Sequence, residues 1–257
     1  MRSSCLPAPR HSDFPMSSPA TLAVVTGAGS GVGRAVALRL VVSGWRVVIA
    51  GRRMEALETT IATAPAASRS RLTAVTCDVG DAASVAQLAA TVFGIGTPSA
   101  FVAAAGTNTP RRSWTELSRK SYRELMRTNL DGAFYCVQAF IPAMRAAGGG
   151  TFVFVNSEAG RRASAKSGVG YSASKFGLTG LAQSLNAEER SRGIRACSIF
   201  PGDIDTPLLE KRPLPPSTEA RAGMLQPDDI AACVQLAIEL PPRALVEEIV
   251  VRPASAP

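Results

Sequence analysis

"LAVVTGAGSGVG", residues 22–33, decides how the rest of the chain is read. Its first five residues are apolar up to a closing threonine, as a strand buried on both faces requires. Residues 31–43 then carry apolar side chains at helical spacing, and Gly44 supplies a stop. Between strand and helix, glycines at 27, 31 and 33 permit a tight turn, a close backbone approach to a ligand, and close packing of helix on strand. Backbone N–H groups at the helix start, reinforced by the helix dipole, suit a pyrophosphate. The expected contacts are Gly27, Gly29, Ser30, Gly31, Val32 and Gly33.

Downstream, the same alternation continues. Strands are expected at residues 46–50, 71–77, 100–105, 151–156, 194–200 and 248–252. Helices are expected at 54–63, 81–93, 118–147, 170–192 and 227–240. Strands apolar on both faces and separated by helices imply a parallel sheet covered on both sides, because each return to a parallel position needs a crossover. The expected architecture is a doubly wound α/β domain of about seven strands over residues 20–257, with no repeat and no second domain. Residues 1–19, rich in Ser and Pro and lacking periodicity, are expected to form a flexible extension. Arg2 and Arg10 faintly suggest a transit peptide, but Pro7, Pro9 and Pro15 oppose an amphipathic helix, and a start at Met16 is the simpler reading.

The end of the second strand should lie beside an adenosine ribose. An acidic residue there would accept from a free 2′-hydroxyl, whereas this chain has Arg52 and Arg53 after Gly51. Guanidinium groups suit a 2′-phosphate, so NADP(H) is expected ahead of NAD(H). Asp78 and Val79 follow the third strand. Asp78 either meets the adenine or caps a helix, a role for which Asp81 competes.

Composition excludes several other chemistries. The lone histidine of the chain, His11, falls in the N-terminal extension, which removes Ser-His-Asp, Cys-His and HExxH mechanisms from the fold. Five scattered cysteines without a CxxC pair fit neither a disulfide framework nor a zinc ribbon, and suggest a cytoplasmic setting. No metal site is expected. The net charge of +8 is dispersed and aromatics make up 5% of residues, unlike a nucleic-acid reader. No apolar run approaches the roughly 18 residues needed to span a bilayer.

"YSASK", residues 171–175, places a phenol and an ammonium at i and i+4, on the same side of a helix. Without a histidine, Tyr171 is the best remaining proton donor. An ammonium about 4 Å away at an effective dielectric near 20 would favour phenolate by about 4 kcal/mol, or roughly three pKa units. Lys175 is therefore expected to lower the Tyr171 pKa. Asn129 within the long fourth helix, Ser157 after the fifth strand and "PGDIDT" at residues 201–206 complete the pattern.

Taken in order, TGAGSGVG, Asn129, Ser157, YSASK and PGDIDT resemble the short-chain dehydrogenase/reductase family over about residues 20–253. The resemblance implies a three-layer Rossmann-like fold and nicotinamide-dependent hydride transfer between a carbonyl and a secondary alcohol. It implies that Ser157 binds the substrate oxygen, that Tyr171 is the acid/base, that Lys175 also binds the nicotinamide ribose, and that Asn129 holds a water in a proton relay. Pro201, Gly202, Ile204 and Thr206 would frame the nicotinamide, with Ala105 and Gly106 beside it. One departure is visible: residues 103–106 read AAAG where the family usually has asparagine before Ala-Gly, which weakens the hydrogen bonding expected at that strand end.

The substrate, a small ketone, aldehyde or alcohol, should be enclosed by residues 158–170 and 203–223. Arg161, Arg162 and Lys166 in the first segment would favour an acid, unless they are ordinary solvated charges. Apolar residues Phe134, Phe140, Leu178 and Leu185 on the two long helices, with the resemblance, imply a homodimer or homotetramer. Three rival functions remain open on the sequence alone: an NAD-dependent alcohol dehydrogenase of the same family, a non-catalytic NADP-binding sensor or scaffold, and an S-adenosylmethionine-dependent methyltransferase in which YSASK would have no purpose.

Overall fold

The computed structural model describes residues 21–254, so the expectations for the N-terminal extension, His11 and Cys5 lie outside the described residues. Apolar segments alternate with helices as the sequence pattern requires. The elements are β1 (Leu22–Thr26), α1 (Gly31–Val42), β2 (Arg46–Gly51), α2 (Met54–Thr63), β3 (Leu72–Thr76), α3 (Ala82–Ile95) and β4 (Ala100–Ala103). They continue with α4 (Arg119–Met126), α5 (Gly132–Ala146), β5 (Gly150–Val155), α6 (Val169–Glu189), β6 (Ile194–Pro201), α7 (Thr218–Ala222), α8 (Pro227–Glu239) and β7 (Glu248–Val251).

All seven strands join one parallel sheet in the order β3-β2-β1-β4-β5-β6-β7. Because alternate side chains of a strand point to opposite faces, the sheet feeds two cores, one on each side. On one face Val25, Ile49 and Val153 pack with Val36 and Leu40 of α1, Leu57 of α2, and Ile230 and Val234 of α8. On the other, Phe101, Phe152 and Phe154 pack with Leu88 of α3, Phe140 and Met144 of α5, and Leu178 of α6. The Phe101 and Phe140 rings lie 4.9 Å apart in a tilted arrangement. Burying an aromatic or aliphatic side chain of this size contributes about 1.5–3 kcal/mol. The result is the three-layer doubly wound fold.

Two expectations need correction. The helix expected over 118–147 is divided by a π-helical turn, Arg127–Asp131, which contains Asn129. Apolar periodicity does not distinguish an i→i+5 turn from the surrounding α-helix. Moreover, of the four residues expected on an oligomer face, Phe140, Leu178 and Leu185 belong to the core, and Phe134 is exposed. Helices buried against both sheet and neighbouring helices need a wide apolar stripe, which the sequence alone cannot separate from a subunit contact.

The strand order reverses between β1 and β4, whose connections leave in opposite directions. Such a reversal opens a crevice at the carboxyl ends of the strands.

Candidate active site

At the crevice, β1 runs into Gly27, whose φ of +67° is in the left-handed region. A Cβ there would come within 2.7 Å of the Ala105 amide nitrogen, so only glycine lets the two diverging loops touch. Ser30, before α1, makes no side-chain cap, and the first turn of α1 contains no acidic residue. The helix start therefore presents backbone donors and positive dipole to a cleft of about 240 Å³ lined by Gly27, Ser30, Gly31, Val32 and Gly33. That backbone cradle fits a pyrophosphate.

Around the same cleft stand Arg52, Asp78, Val79, Ala105, Gly106, Tyr171, Lys175, Ile204 and Thr206. Four residues expected at the cofactor lie outside its lining: Gly29, Arg53, and Pro201 and Gly202, which line only an adjoining cleft. Gly29 is turned towards α2, where a Cβ would approach Ala56 Cβ at 3.0 Å, and its carbonyl accepts from Arg34. Arg52 and Arg53 are both exposed, and of the two only Arg52 lines the cleft, Arg53 being the residue before α2. The two possible roles of Asp78 also separate: Asp81 caps α3 by accepting from Ala83 N at 3.0 Å, while Asp78 faces the cleft and pairs with Arg127 at 3.1 Å.

The AAAG departure is compensated from a neighbouring strand. Thr26 Oγ1 accepts from Ala104 N at 3.2 Å and Ala105 N at 3.4 Å, tying the end of β4 to β1. Asn129 is behind this loop. Its Oδ1 accepts from Thr107 N at 2.8 Å, and its Nδ2 donates to Thr107 O at 3.0 Å and Ser174 Oγ at 3.1 Å. Ser174 in turn donates to Tyr171 O at 2.8 Å. Asn129 thus ties the loop after β4 to the first turns of α6, a framework role that its sequence position did not disclose.

A second cleft of about 130 Å³ adjoins the first and is lined by Ser157, Pro201 and Gly202, together with Asn108, Arg112, Lys166, Asp203 and Arg212. Tyr171, Ile204 and Thr206 line both clefts. Ser157 Oγ accepts from Ala159 N at 3.2 Å, so it caps a short 3₁₀ turn at the cleft wall, within reach of the Tyr171 phenol.

The electrostatics differ from the sequence expectation. Lys175 Nζ donates to Val155 O at 2.8 Å and lies 5.7 Å from the centre of the Tyr171 ring. Burial lowers the Lys175 pKa to about 8. Burial also pushes the Tyr171 phenol above its ordinary value, and the groups that oppose this are Ser157, Arg112 and Arg212. The phenol is therefore tuned upward, and the cations that counteract burial are two arginines rather than Lys175. The simple i,i+4 estimate omitted desolvation, which here outweighs the charge effect.

Arg112 and Arg212 were missed in the sequence. Arg112 is buried, whereas its neighbour Arg111 is exposed, and nothing in "TPRRSW" distinguishes them. Arg161, in contrast, turns away to pair with Glu248 at 3.6 Å and to lie over the Phe200 ring, and Arg162 is exposed.

Comparison with known proteins agrees with the fold. Sepiapterin reductase of Chlorobaculum tepidum is 31% identical over 240 residues, covering 90% of this chain and 96% of that protein. An uncharacterized oxidoreductase of Staphylococcus haemolyticus is 32% identical, with 90% and 96% covered. A glycine betaine reductase of Emericella nidulans is 33% identical, but this chain spans only 19% of its length. The structure of an alcohol dehydrogenase from the archaeon Thermococcus sibiricus, complexed with 5-hydroxy-NADP, matches with a TM-score of 0.82 at 26% identity, covering 92% of this chain and 98% of that one. The family model for the short chain dehydrogenase matches residues 21–215, and the chain belongs to this family of oxidoreductases.

Proposed function

We propose that the chain interconverts a carbonyl and a secondary alcohol with NADP(H) as the hydride carrier and Tyr171 as the acid/base. The observation that carries this reading is the position of Tyr171 on the wall shared by the two clefts. A proton donor there reaches a substrate in one cleft while a nicotinamide occupies the other. Bound NADPH supplies the hydride.

The remaining work falls to side chains of the protein. Ser157 donates a hydrogen bond to the substrate oxygen and stabilises the charge that develops on it. Tyr171 gives its proton to that oxygen during reduction and takes it back during oxidation. Lys175, cationic at neutral pH and held by the Val155 carbonyl, offers its remaining N–H donors to the nicotinamide ribose. Asn129 acts through Thr107 and Ser174 to hold Tyr171 in register, a positioning role. Arg52 receives the 2′-phosphate, which supports NADP(H) ahead of NAD(H). The Thermococcus sibiricus structural relative, complexed with 5-hydroxy-NADP, supports the same preference.

Replacing Tyr171 by Phe removes the acid while keeping the ring. The expected outcome is a loss of about 100- to 10,000-fold in kcat with NADPH affinity retained. Equal activity of wild-type and Tyr171→Phe proteins on every carbonyl tried would favour the non-catalytic NADP-binding reading instead.

A homodimer or homotetramer built on α5 and α6 fits the exposed rings of Phe134 and Phe176 on these helices. Light scattering on the purified chain measures this directly. A cytoplasmic location is our reading of the cysteine spacing, and no helix among the described residues is long and apolar enough to cross a membrane.

A further inference from the structure

The second cleft is crowded with positive charge. Arg112, Lys166 and Arg212 line it, and Asp203 is the one carboxylate among the lining residues. Asp203 is already divided between two of these cations: Oδ2 pairs with Lys166 Nζ at 2.5 Å and Oδ1 with Arg212 Nη2 at 2.5 Å. Although burial alone would raise its pKa, those two partners hold it below the ordinary value, so it is fully ionised at neutral pH. A single carboxylate between two cations still leaves the cleft positive.

Arg112 is the more telling group. Only 7% of its surface is exposed, and its donors go to neutral backbone carbonyls: Nε to Thr109 O at 2.8 Å, Nη1 to Lys166 O at 3.1 Å, and Nη2 to Lys211 O. Among the described residues no carboxylate pairs with it. Carbonyl groups fix a guanidinium in place without cancelling its charge, and a buried charge without a counter-charge is costly. The fold accommodates it deliberately. Gly168, with φ of +81°, lets the chain pass where a Cβ would lie 2.5 Å from Arg112 Cβ. Arg112 and Arg212 are also the two cations whose field reaches the Tyr171 phenol.

We infer that the second cleft binds a carbonyl substrate that itself carries a carboxylate, held by the Arg112 and Arg212 guanidinium groups beside Tyr171. The inference rests on the carbonyl-reduction reading above. A substrate carboxylate supplies the counter-charge that Arg112 lacks, and the planar fork of an arginine matches it in shape. The volume of about 130 Å³ is below the roughly 300–1,000 Å³ usual for drug-sized ligands, so the acid is small. The rival assignment is that Arg112 merely staples the loop after β4 to the segments around Lys166 and Lys211.

The test uses matched pairs that differ in charge: levulinate and methyl levulinate, acetoacetate and ethyl acetoacetate, acetylbenzoate and its methyl ester, each followed by NADPH consumption. The acids are expected to exceed their esters in kcat/KM by about 10- to 100-fold, the range for hydrogen bonds to charged groups. Arg212→Gln and Arg112→Met are each expected to remove most of that ratio, with NADPH titration reporting whether the fold survives. Should Arg112→Met fail to bind NADPH, Arg212→Gln decides alone. Esters turned over as well as the acids, or a ratio unchanged in a variant that still binds NADPH, overturn the inference and leave carbonyl reduction standing. No turnover of either class by wild-type protein with NADPH bound overturns carbonyl reduction, and this inference with it.

Discussion

The two clefts that meet at Tyr171 are built by opposite means. The phosphate end of the larger one is made of backbone, the turn from β1 to α1, with the ends of β2 and β4 beside it. The glycine turn that starts it, residues 27–33, is contiguous in sequence, and its ligand chemistry, phosphate on amide N–H, needs little from side chains beyond their absence. The smaller one is made of side chains from the loops around Arg112, Lys166 and Arg212, which are far apart along the chain. Binding of a carrier shared by many enzymes tolerates a local motif, whereas selection of one substrate depends on charges brought together by folding.

Damage to the backbone cleft should be the most severe. Gly27→Val places a β-branched residue at φ +67° and drives Cβ into the Ala104 and Ala105 backbone. The expected result is a destabilisation of about 3 kcal/mol and loss of measurable NADPH binding, read by thermal melting and fluorescence titration. Retained NADPH affinity would break the claim that backbone geometry builds this site. Next in size, Arg52→Asp replaces a phosphate partner by a repelling carboxylate. The ratio of NADPH to NADH affinity should fall by about 10- to 100-fold while the acid-to-ester ratio of the second cleft is unchanged. A change in both ratios would mean that the clefts are not separable.

The smallest effect is a pH dependence. Lys175 has its pKa lowered from 10.5 to about 8 by burial, so its charge is lost as pH rises through about 8. Tyr171, raised above its usual value, remains protonated over the same range and keeps its role as proton donor. The kcat/KM for reduction should therefore be level near neutrality and fall by up to about tenfold per pH unit above about 8. Stability has the opposite sign. Between about 8 and 10.5 the unfolded chain binds the Lys175 proton and the folded chain does not, so this group adds stability as pH rises through that window. Parallel pH series of NADPH affinity and chemical denaturation separate the two: affinity that stays constant to pH 10 would remove Lys175 from the cofactor site.

Much of the architecture was legible before folding. The run LAVVT, the glycines after it and the recurring apolar segments specify strands buried on both faces, because a parallel sheet leaves no face for polar residues. The π-helical turn at Asn129 was not legible, since one extra residue in a helical turn leaves the apolar pattern almost unchanged. Nor were the partners of Asn129. Thr107 and Ser174 are 22 and 45 residues away, and only packing of α4, α5 and α6 brings them together.

Residue by residue, the sequence by itself determined the glycine turn, the Tyr171–Lys175 spacing and the arginine after β2, because each is a local relation preserved by a single element. Tertiary structure decided which of those groups act together and at what pKa. Burial raised the phenol that the spacing alone would have lowered, and it withdrew Arg112 from solvent while leaving Arg111 outside. Desolvation and charge pairing depend on everything within a few ångströms, and that neighbourhood exists only after distant segments have met.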